Sequence, residues 1–353
     1  MRPLIARISS SALAHNLEVA RRHAGGAKLL SVIKASAYGH GLSRAARALA
    51  ASDGFAVLNI EEAVTLRQMG IEKPILMLEG PFDAEEMSAY SELNLTPVLH
   101  SPHQLEWLLL AGEPLNVFLK FNSGMNRLGF SLADFDAIAA WAKARSQVAQ
   151  VTLMTHFATA DEDFGIDWQW ERFIAKAQAA DLPISAANSA ALLRYPETRR
   201  DWVRAGIMLY GASPFADVSA AELGLKPAMT LQSKIIAMQN LKPGEGLGYG
   251  LTFMADEATR VGIVACGYAD GYPRHAPTGT PILVNGRRTR TLGRVSMDML
   301  AVDLNNVPEA GIGSPVVLWG EGIPVEEVAR AAGTISYELL CALAPRVALR
   351  EEQ

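Results

Sequence analysis

Leu29-Leu30-Ser31-Val32-Ile33-Lys34 is a short run of aliphatic and β-branched residues that ends in a lysine. A run of this length and composition reads as a buried strand. Seven more follow, at residues 55–58, 75–78, 96–99, 116–121, 149–155, 184–187 and 202–205. Alanine-rich stretches of helical period lie between them, at 43–51, 60–69, 83–91, 101–111, 131–144, 165–180 and 189–193. Eight near-continuous apolar strands alternating with helices point to a closed parallel (β/α)8 barrel of the TIM type, because strands covered on both faces carry no polar alternation. An open doubly wound sheet is the competing arrangement, and the strand count favours the barrel.

The pattern changes near Gly224. Residues 229–238, 248–253, 260–266, 281–284 and 316–319 read as strands, punctuated by Lys242-Pro243-Gly244 and Gly279-Thr280-Pro281. Helical period returns only at 324–332 and 337–343. The expected organisation is therefore an α/β barrel over residues 1–225 and a mostly β domain over 226–353.

Of the 353 residues, half are hydrophobic and a fifth charged, which excludes a disordered chain. The formal charge of −5 leaves no basic excess for nucleic acid. Two cysteines, Cys266 and Cys341, exclude a disulfide scaffold and a thiolate zinc site and fit a reducing compartment. The opening Met1-Arg2-Pro3-Leu4-Ile5-Ala6-Arg7 does not read as a signal peptide. The longest apolar runs fall far short of the ~20 residues that span a bilayer. The expectation is a cytoplasmic protein with neither membrane nor nucleic acid as partner.

In a barrel of this kind reactive groups collect where the strands end. The first run ends in Lys34, followed by Ala35-Ser36-Ala37-Tyr38-Gly39-His40-Gly41. The fifth carries Lys120 and leads into Asn122-Ser123-Gly124-Met125-Asn126-Arg127; the sixth leads into Thr155-His156-Phe157. Asn188-Ser189 follow the seventh, and the eighth carries Arg204 ahead of Gly206-Ile207. A lysine closing a buried strand loses solvation, which disfavours its charged form. A neutral amine there can form a Schiff base with an aldehyde; the alternative is a lysine that snorkels out of the barrel mouth. Glycines beside Tyr38 and His40 permit a tight turn. Ser189 opens a helix directly after a strand, a place that suits a phosphate, with an ordinary N-cap as the other reading. Gly206 and Ile207 add possible N–H donors. Together these features suggest a phosphorylated aldehyde cofactor, pyridoxal 5'-phosphate, with its phosphate near strands seven and eight.

Other chemistry is poorly represented. There is no His-Glu-x-x-His, Cys-x-x-Cys or Walker-type loop, and no Gly-x-Ser-x-Gly elbow. His156 with Asp161 and Asp163 makes a poor metal site, and no metal is expected.

Taken in order, the chain resembles the alanine racemases over almost its full length. The resemblance rests on Val32-Ile33-Lys34-Ala35-Ser36-Ala37-Tyr38-Gly39-His40-Gly41, Asn122-Ser123-Gly124-Met125-Asn126-Arg127, Met154-Thr155-His156-Phe157, Asn188-Ser189-Ala190 and Arg204-Ala205-Gly206-Ile207. In the second domain it rests on Gly248-Tyr249-Gly250, Gly267-Tyr268-Ala269-Asp270-Gly271-Tyr272, Gly293-Arg294-Val295-Ser296-Met297-Asp298 and Ile335-Ser336-Tyr337-Glu338. The family implies a barrel plus a β domain, pyridoxal 5'-phosphate and interconversion of L- and D-alanine by two bases. Lys34 would carry the cofactor as the internal aldimine and act on one face of the substrate. Tyr249, reaching the partner subunit's site, would act on the other, which implies a homodimer. Arg204 would hydrogen-bond the pyridine nitrogen, and His156 would orient Arg204. Tyr38, Ser189, Gly206, Ile207 and Tyr337 match phosphate-binding positions. Arg127 and Met297 match positions that handle the substrate carboxylate, Tyr268 and Arg274 the entrance corridor, and Lys120 a lysine often carbamylated.

Each assignment has a plainer counterpart. Tyr249 could be a turn aromatic between two glycines, Met297 core packing and Lys120 half of an ion pair. Ser185 stands where some relatives carry histidine, which touches the support of Arg204, and Ala205 stands where proline or valine is frequent. Competing functions are a pyridoxal-phosphate decarboxylase of the same fold, a non-catalytic pyridoxal-phosphate carrier, and a metal-dependent sugar-phosphate barrel. The second domain argues against the carrier, and the missing ligand cluster against the metal enzyme.

Overall fold

The computed structural model describes residues 2–352. All eight strands read from the sequence are present, as Lys28–Val32, Gly54–Val57, Ile75–Met77, Thr96–Leu99, Leu115–Asn122, Val148–Met154, Ile184–Ser185 and Trp202–Ala205. Each pairs in parallel with its neighbours. The last strand returns to the first, with Trp202 opposite Lys28 and Ala205 opposite Ser31, so the sheet closes into a barrel. The open doubly wound alternative is thereby excluded. Their continuous apolar character follows from burial on both faces: every residue of Gly54–Val57 and of Thr96–Leu99 is buried.

The helix Ser10–Ala24 precedes the first strand and was not among the helices read from the sequence. Ser9 caps it, its Oγ accepting from the Ala12 N–H at 3.1 Å, and Gly25 ends it in the left-handed region at φ 63°. Its fully buried Asn16 ties the barrel to the second domain. The Asn16 amide donates to the carbonyls of Leu209 at 3.0 Å and Lys226 at 2.8 Å, and its oxygen accepts from the Lys226 N–H at 2.8 Å.

The second domain is built on an eight-stranded, largely antiparallel sheet around the long strand Met229–Leu241. Two of its members come from the ends of the chain. Ile5–Ser9 pairs antiparallel with Met229–Leu241 and parallel with Ala348–Glu352. A division at 225/226 therefore does not follow the sheets at the N-terminus: Ala6 and Ile8 are buried members of the second domain's sheet. The expected strand at 248–253 is instead a tight turn, Tyr249–Leu251, between the two-residue strands Gly246–Leu247 and Phe253–Met254. Gly248 and Gly250 at φ 72° and Leu251 at φ 46° cannot lie in an extended strand. Arg287–Leu292 and Leu300–Asp303 are strands that apolar patterning did not mark. In the first, the arginines face outward onto Glu309, Glu327 and Asp303. The helices expected near 324–332 and 337–343 are Val325–Ala331 and Ser336–Cys341.

Asn16→Ala strands two carbonyls and one N–H at the domain junction, each costing roughly 1–3 kcal/mol when buried without a partner. Urea unfolding is expected to show a loss of about 3 kcal/mol or more. An unchanged midpoint would show that the junction does not depend on this side chain.

Candidate active site

The carboxyl ends of the barrel strands enclose a cavity of about 640 Å³. Ten of the residues singled out from the sequence line it: Lys34, Tyr38, Lys120, Arg127, His156 and Ser189, together with Arg204, Gly206, Ile207 and Tyr337. Four of these are cationic side chains, and the one carboxylate in the lining is Glu79. Tyr249, Tyr268, Met297 and Arg274 do not line it. They stand exposed on the second domain, Tyr249 with 70% of its surface accessible and Met297 with 53%.

Lys34 closes the first strand, and the backbone then turns the wrong way. Ala35, Ser36, Ala37 and Tyr38 all have φ between 51° and 54°, a left-handed helical turn with no glycine in it. Such a turn costs L-residues roughly 1–2 kcal/mol each, so its surroundings must hold it. Ser36 N–H donates to Glu62 Oε1 at 3.3 Å, and Gly41 N–H to the Ser36 carbonyl at 2.8 Å. The glycines at 39 and 41, which the sequence marked, only finish the turn. Its left-handed body had no sequence signal.

Arg204 is almost fully buried. Nη1 donates to the Ser185 carbonyl at 2.9 Å and to Ser185 Oγ at 2.7 Å; Nη2 donates to the carbonyls of Thr155 and Ala186 at 2.9 and 3.0 Å. These bonds leave Nε free. Ser185, the departure noted in the sequence, thus supports Arg204 directly. Burial lowers the guanidinium to about 10, which keeps it charged at neutral pH. His156 Nδ1 lies 3.4 Å from Nη2. Burial and then the Arg204, Lys120 and Arg127 charges hold this imidazole well below the ordinary histidine range, so it stays neutral and Nδ1 accepts.

Lys120, also buried, is brought down to about 8 by burial and then by Arg204 and Arg127. Arg127 is carried by a loop that Asn122 shapes. The Asn122 Oδ1 accepts from the N–H groups of Gly124 and Asn126, both at 3.0 Å, and a Cβ at Gly124 would run into the Trp168 ring. Gln169, fully buried and not marked by the sequence reading, joins this wall together. Its amide donates to Ser123 Oγ at 3.1 Å and the His156 carbonyl at 3.2 Å. Its signal was a polar residue on the buried face of a helix, beside Trp170.

At the opposite wall, Asn188 rather than Ser189 caps the short helix Ser189–Arg194, accepting from the Ala191 N–H at 3.0 Å. Ser189 Oγ accepts from the Gly206 N–H at 2.8 Å, so that donor is already used within the protein. A Cβ at Gly206 would stand 2.9 Å from the Tyr38 hydroxyl and 3.8 Å from Ser189 Oγ. The missing side chain keeps open a cradle between them. Burial pushes the hydroxyls of Tyr38 and Tyr337 above the ordinary tyrosine range, so both remain protonated donors.

A closed barrel with a strand-end lysine, a cationic cavity and a hydroxyl-lined cradle at the mouth defines an enzyme of the barrel class with its chemistry at the strand ends. Two family models match the chain: Alanine racemase, N-terminal domain, over residues 8–214, and Alanine racemase, C-terminal domain, over 228–350. An alanine racemase of Thiobacillus denitrificans is 65% identical, over 99% of this chain and 96% of that protein. A catabolic alanine racemase of Salmonella typhimurium is 52% identical, over 98% of each. The crystal structure of a biosynthetic alanine racemase from Pseudomonas aeruginosa superposes with a TM-score of 0.98 at 48% identity, covering 100% of both chains. The chain belongs to the alanine racemase family and is an isomerase, an amino-acid racemase. Among the described residues no helix is long and apolar enough to cross a membrane.

Two buried histidines set a pH dependence. Burial holds His40 down at about 4, and His156 is also depressed. Unfolded, both take up protons below about pH 6.5, whereas the folded chain does not. The unfolded state then binds more protons, and stability falls as pH drops below that value toward the folded pKa values. The urea midpoint is expected to be lower near pH 5 than near pH 7.5, with neither imidazole titrating in nitrogen NMR between about pH 8 and 5.5. A titration of His156 centred near 6.5 would contradict its burial as a neutral acceptor.

Proposed function

We propose that the enzyme interconverts L-alanine and D-alanine with pyridoxal 5'-phosphate bound at the barrel mouth. Lys34 and Tyr249 of a second copy serve as the two bases. The observation that carries this reading is the partition of the fourteen candidate residues. Ten converge on one cavity, while Tyr249, Tyr268, Arg274 and Met297 stand exposed outside it. A single chain thus holds most of a racemase site and presents the rest outward, as a homodimer with shared sites requires.

The cavity fits the cofactor. The Gly206 gap between Tyr38 and Ser189 makes room for a phosphate. Tyr38, Tyr337 and Ser189 supply hydroxyls, and Ile207 lies beside them. Arg204, with Nε unclaimed, suits the pyridine nitrogen, and Lys34 suits the aldehyde carbon. When bound, pyridoxal phosphate acts as an electron sink that makes the α-hydrogen of an amino acid removable.

The protein's own groups then manage the proton. Lys34 Nζ takes or returns it on one face, and the Tyr249 hydroxyl of the second copy does so on the other. Arg127 and, from the second copy, Met297 hold the carboxylate end of the substrate. His156, neutral, accepts from Arg204 and keeps its guanidinium facing the ring. Lys120, brought down to about 8, has an appreciable neutral fraction near neutral pH, the form that captures carbon dioxide as a carbamate. The resulting negative charge would steady Arg127 among its cationic neighbours. Tyr268 and Arg274 of the second copy would frame the entrance. Enantiomers have equal free energy, so one site serves both supply of D-alanine for peptidoglycan and its catabolism. Which substrate is plentiful sets the direction.

Incubation with L-alanine in deuterated water is expected to yield α-deuterated D-alanine. Tyr249→Phe should lower racemisation by roughly 10²–10⁴-fold, the range of a general base, while the protein still binds the cofactor and dimerises. Wild-type turnover by that variant would remove Tyr249 from the mechanism. Absence of any α-exchange in cofactor-loaded wild-type protein would remove the racemase reading of these residues.

A further inference from the structure

His40 is a buried titratable group beside the site to which the proposed mechanism gives no task. It is fully buried, and its Nδ1 lies 2.9 Å from the Tyr38 carbonyl and 3.1 Å from the Ala37 carbonyl. Both partners are acceptors, so Nδ1 carries the hydrogen and the neutral ring donates to both. Nε2 is left as a bare lone pair with no partner. An imidazole with one useful donor and one unsatisfied nitrogen is a costly choice for a core position, so the bond at Nδ1 must earn its place.

That bond grips the left-handed turn. Ala37 and Tyr38 are its last two residues, and their carbonyls are the ones His40 holds. The ring also lies tilted against Tyr210 at 4.6 Å between centroids, and Tyr210 stacks on Tyr38 at 4.6 Å. The Tyr210 hydroxyl donates to the Val32 carbonyl at 2.8 Å, two residues before Lys34. His40 and Tyr210 therefore clamp the turn from its far side, one by its carbonyls and the other by the strand that enters it. Between Tyr38 and His40, Gly39 touches the Leu340 carbonyl so closely that no Cβ fits there. Leu340 belongs to the helix Ser336–Cys341 that carries Tyr337. This contact brings the rings of Tyr38 and Tyr337 to 6.0 Å from each other.

We propose that His40 is a positioning residue for the phosphate cradle. Its Nδ1–H holds the left-handed turn so that the Tyr38 and Tyr337 hydroxyls, from two different domains, converge on one anionic group. This rests on the pyridoxal-phosphate reading above. It adds that the specificity for the phosphorylated cofactor depends on a side chain that never touches it.

The test compares binding of pyridoxal phosphate and of pyridoxal, which lacks the phosphate, to the wild-type protein, His40→Phe and His40→Asn. Phenylalanine keeps a ring against Tyr210 and loses the donor; asparagine places a donor near the position of Nδ1. In His40→Phe the preference for the phosphorylated form is expected to shrink about tenfold or more, with pyridoxal itself binding as before. In His40→Asn most of the preference should return. If His40→Phe does not accumulate as folded protein, His40→Leu takes its place beside His40→Asn and is read the same way. Equal weakening of both ligands would show a general loss of structure and overturn the positioning role, as would an unchanged ratio. A wild-type protein that binds neither form would instead overturn the cofactor reading on which the proposal stands.

Discussion

The pairing of the first barrel strand with the last is the constraint on which the rest of the molecule depends. Leu30 lies opposite Arg204 and Ser31 opposite Ala205. The register is set by backbone hydrogen bonds and cannot slip by one residue without turning buried side chains outward. It brings the Lys34 turn and the Gly206 cradle to the same stretch of the barrel mouth, although about 170 residues of chain separate them. Lys34 and the Gly206 cradle are neighbours because the sheet closes.

Closure also concentrates positive charge. Lys34, Lys120, Arg127 and Arg204 share one cavity with a single carboxylate. The protein tolerates this through backbone dipoles rather than countercharges. Arg204 is held by three carbonyls and a serine hydroxyl, not by an acid. Carbonyl ligation keeps the guanidinium in place without neutralising its field, and burial together with that field depresses His156 and Lys120. The same field favours any anion that enters, whether phosphate, substrate carboxylate or a carbamate.

The second domain is fastened in another way. Its sheet takes in both ends of the chain, with Ile5–Ser9 between Met229–Leu241 and Ala348–Glu352. A buried carboxylate then fastens its exposed loops. Asp270, 1% accessible, accepts from Arg2 and Arg346 at 2.7 Å each and from the Gly267 N–H at 2.9 Å. Asp298, next to Met297, accepts from the same Arg346 at 2.6 Å. These ion pairs tie the loops bearing Tyr268 and Met297 to each other and to Arg2 and Arg346 near the ends of the chain.

The sequence by itself determined the barrel strands and most of the cavity lining. Burial on both faces forces continuous apolar runs, and chemistry at strand ends leaves polar residues immediately after them. Lys34, Lys120, His156 and Arg204 were legible for that reason. What only the tertiary structure decided is closure rather than an open sheet, the place of Ile5–Ser9 in the second domain, and the charged strand Arg287–Leu292. These depend on partners remote in sequence, and no local pattern encodes a remote partner. The left-handed turn at Ala35–Tyr38 belongs with them. Alanine and serine have no intrinsic preference for it, and it exists because His40, Glu62 and Tyr210 hold it from outside. Tyr249 shows the same limit in reverse. Local glycines dictated its turn, but its exposed position, away from the cavity of its own chain, is a fact of three dimensions.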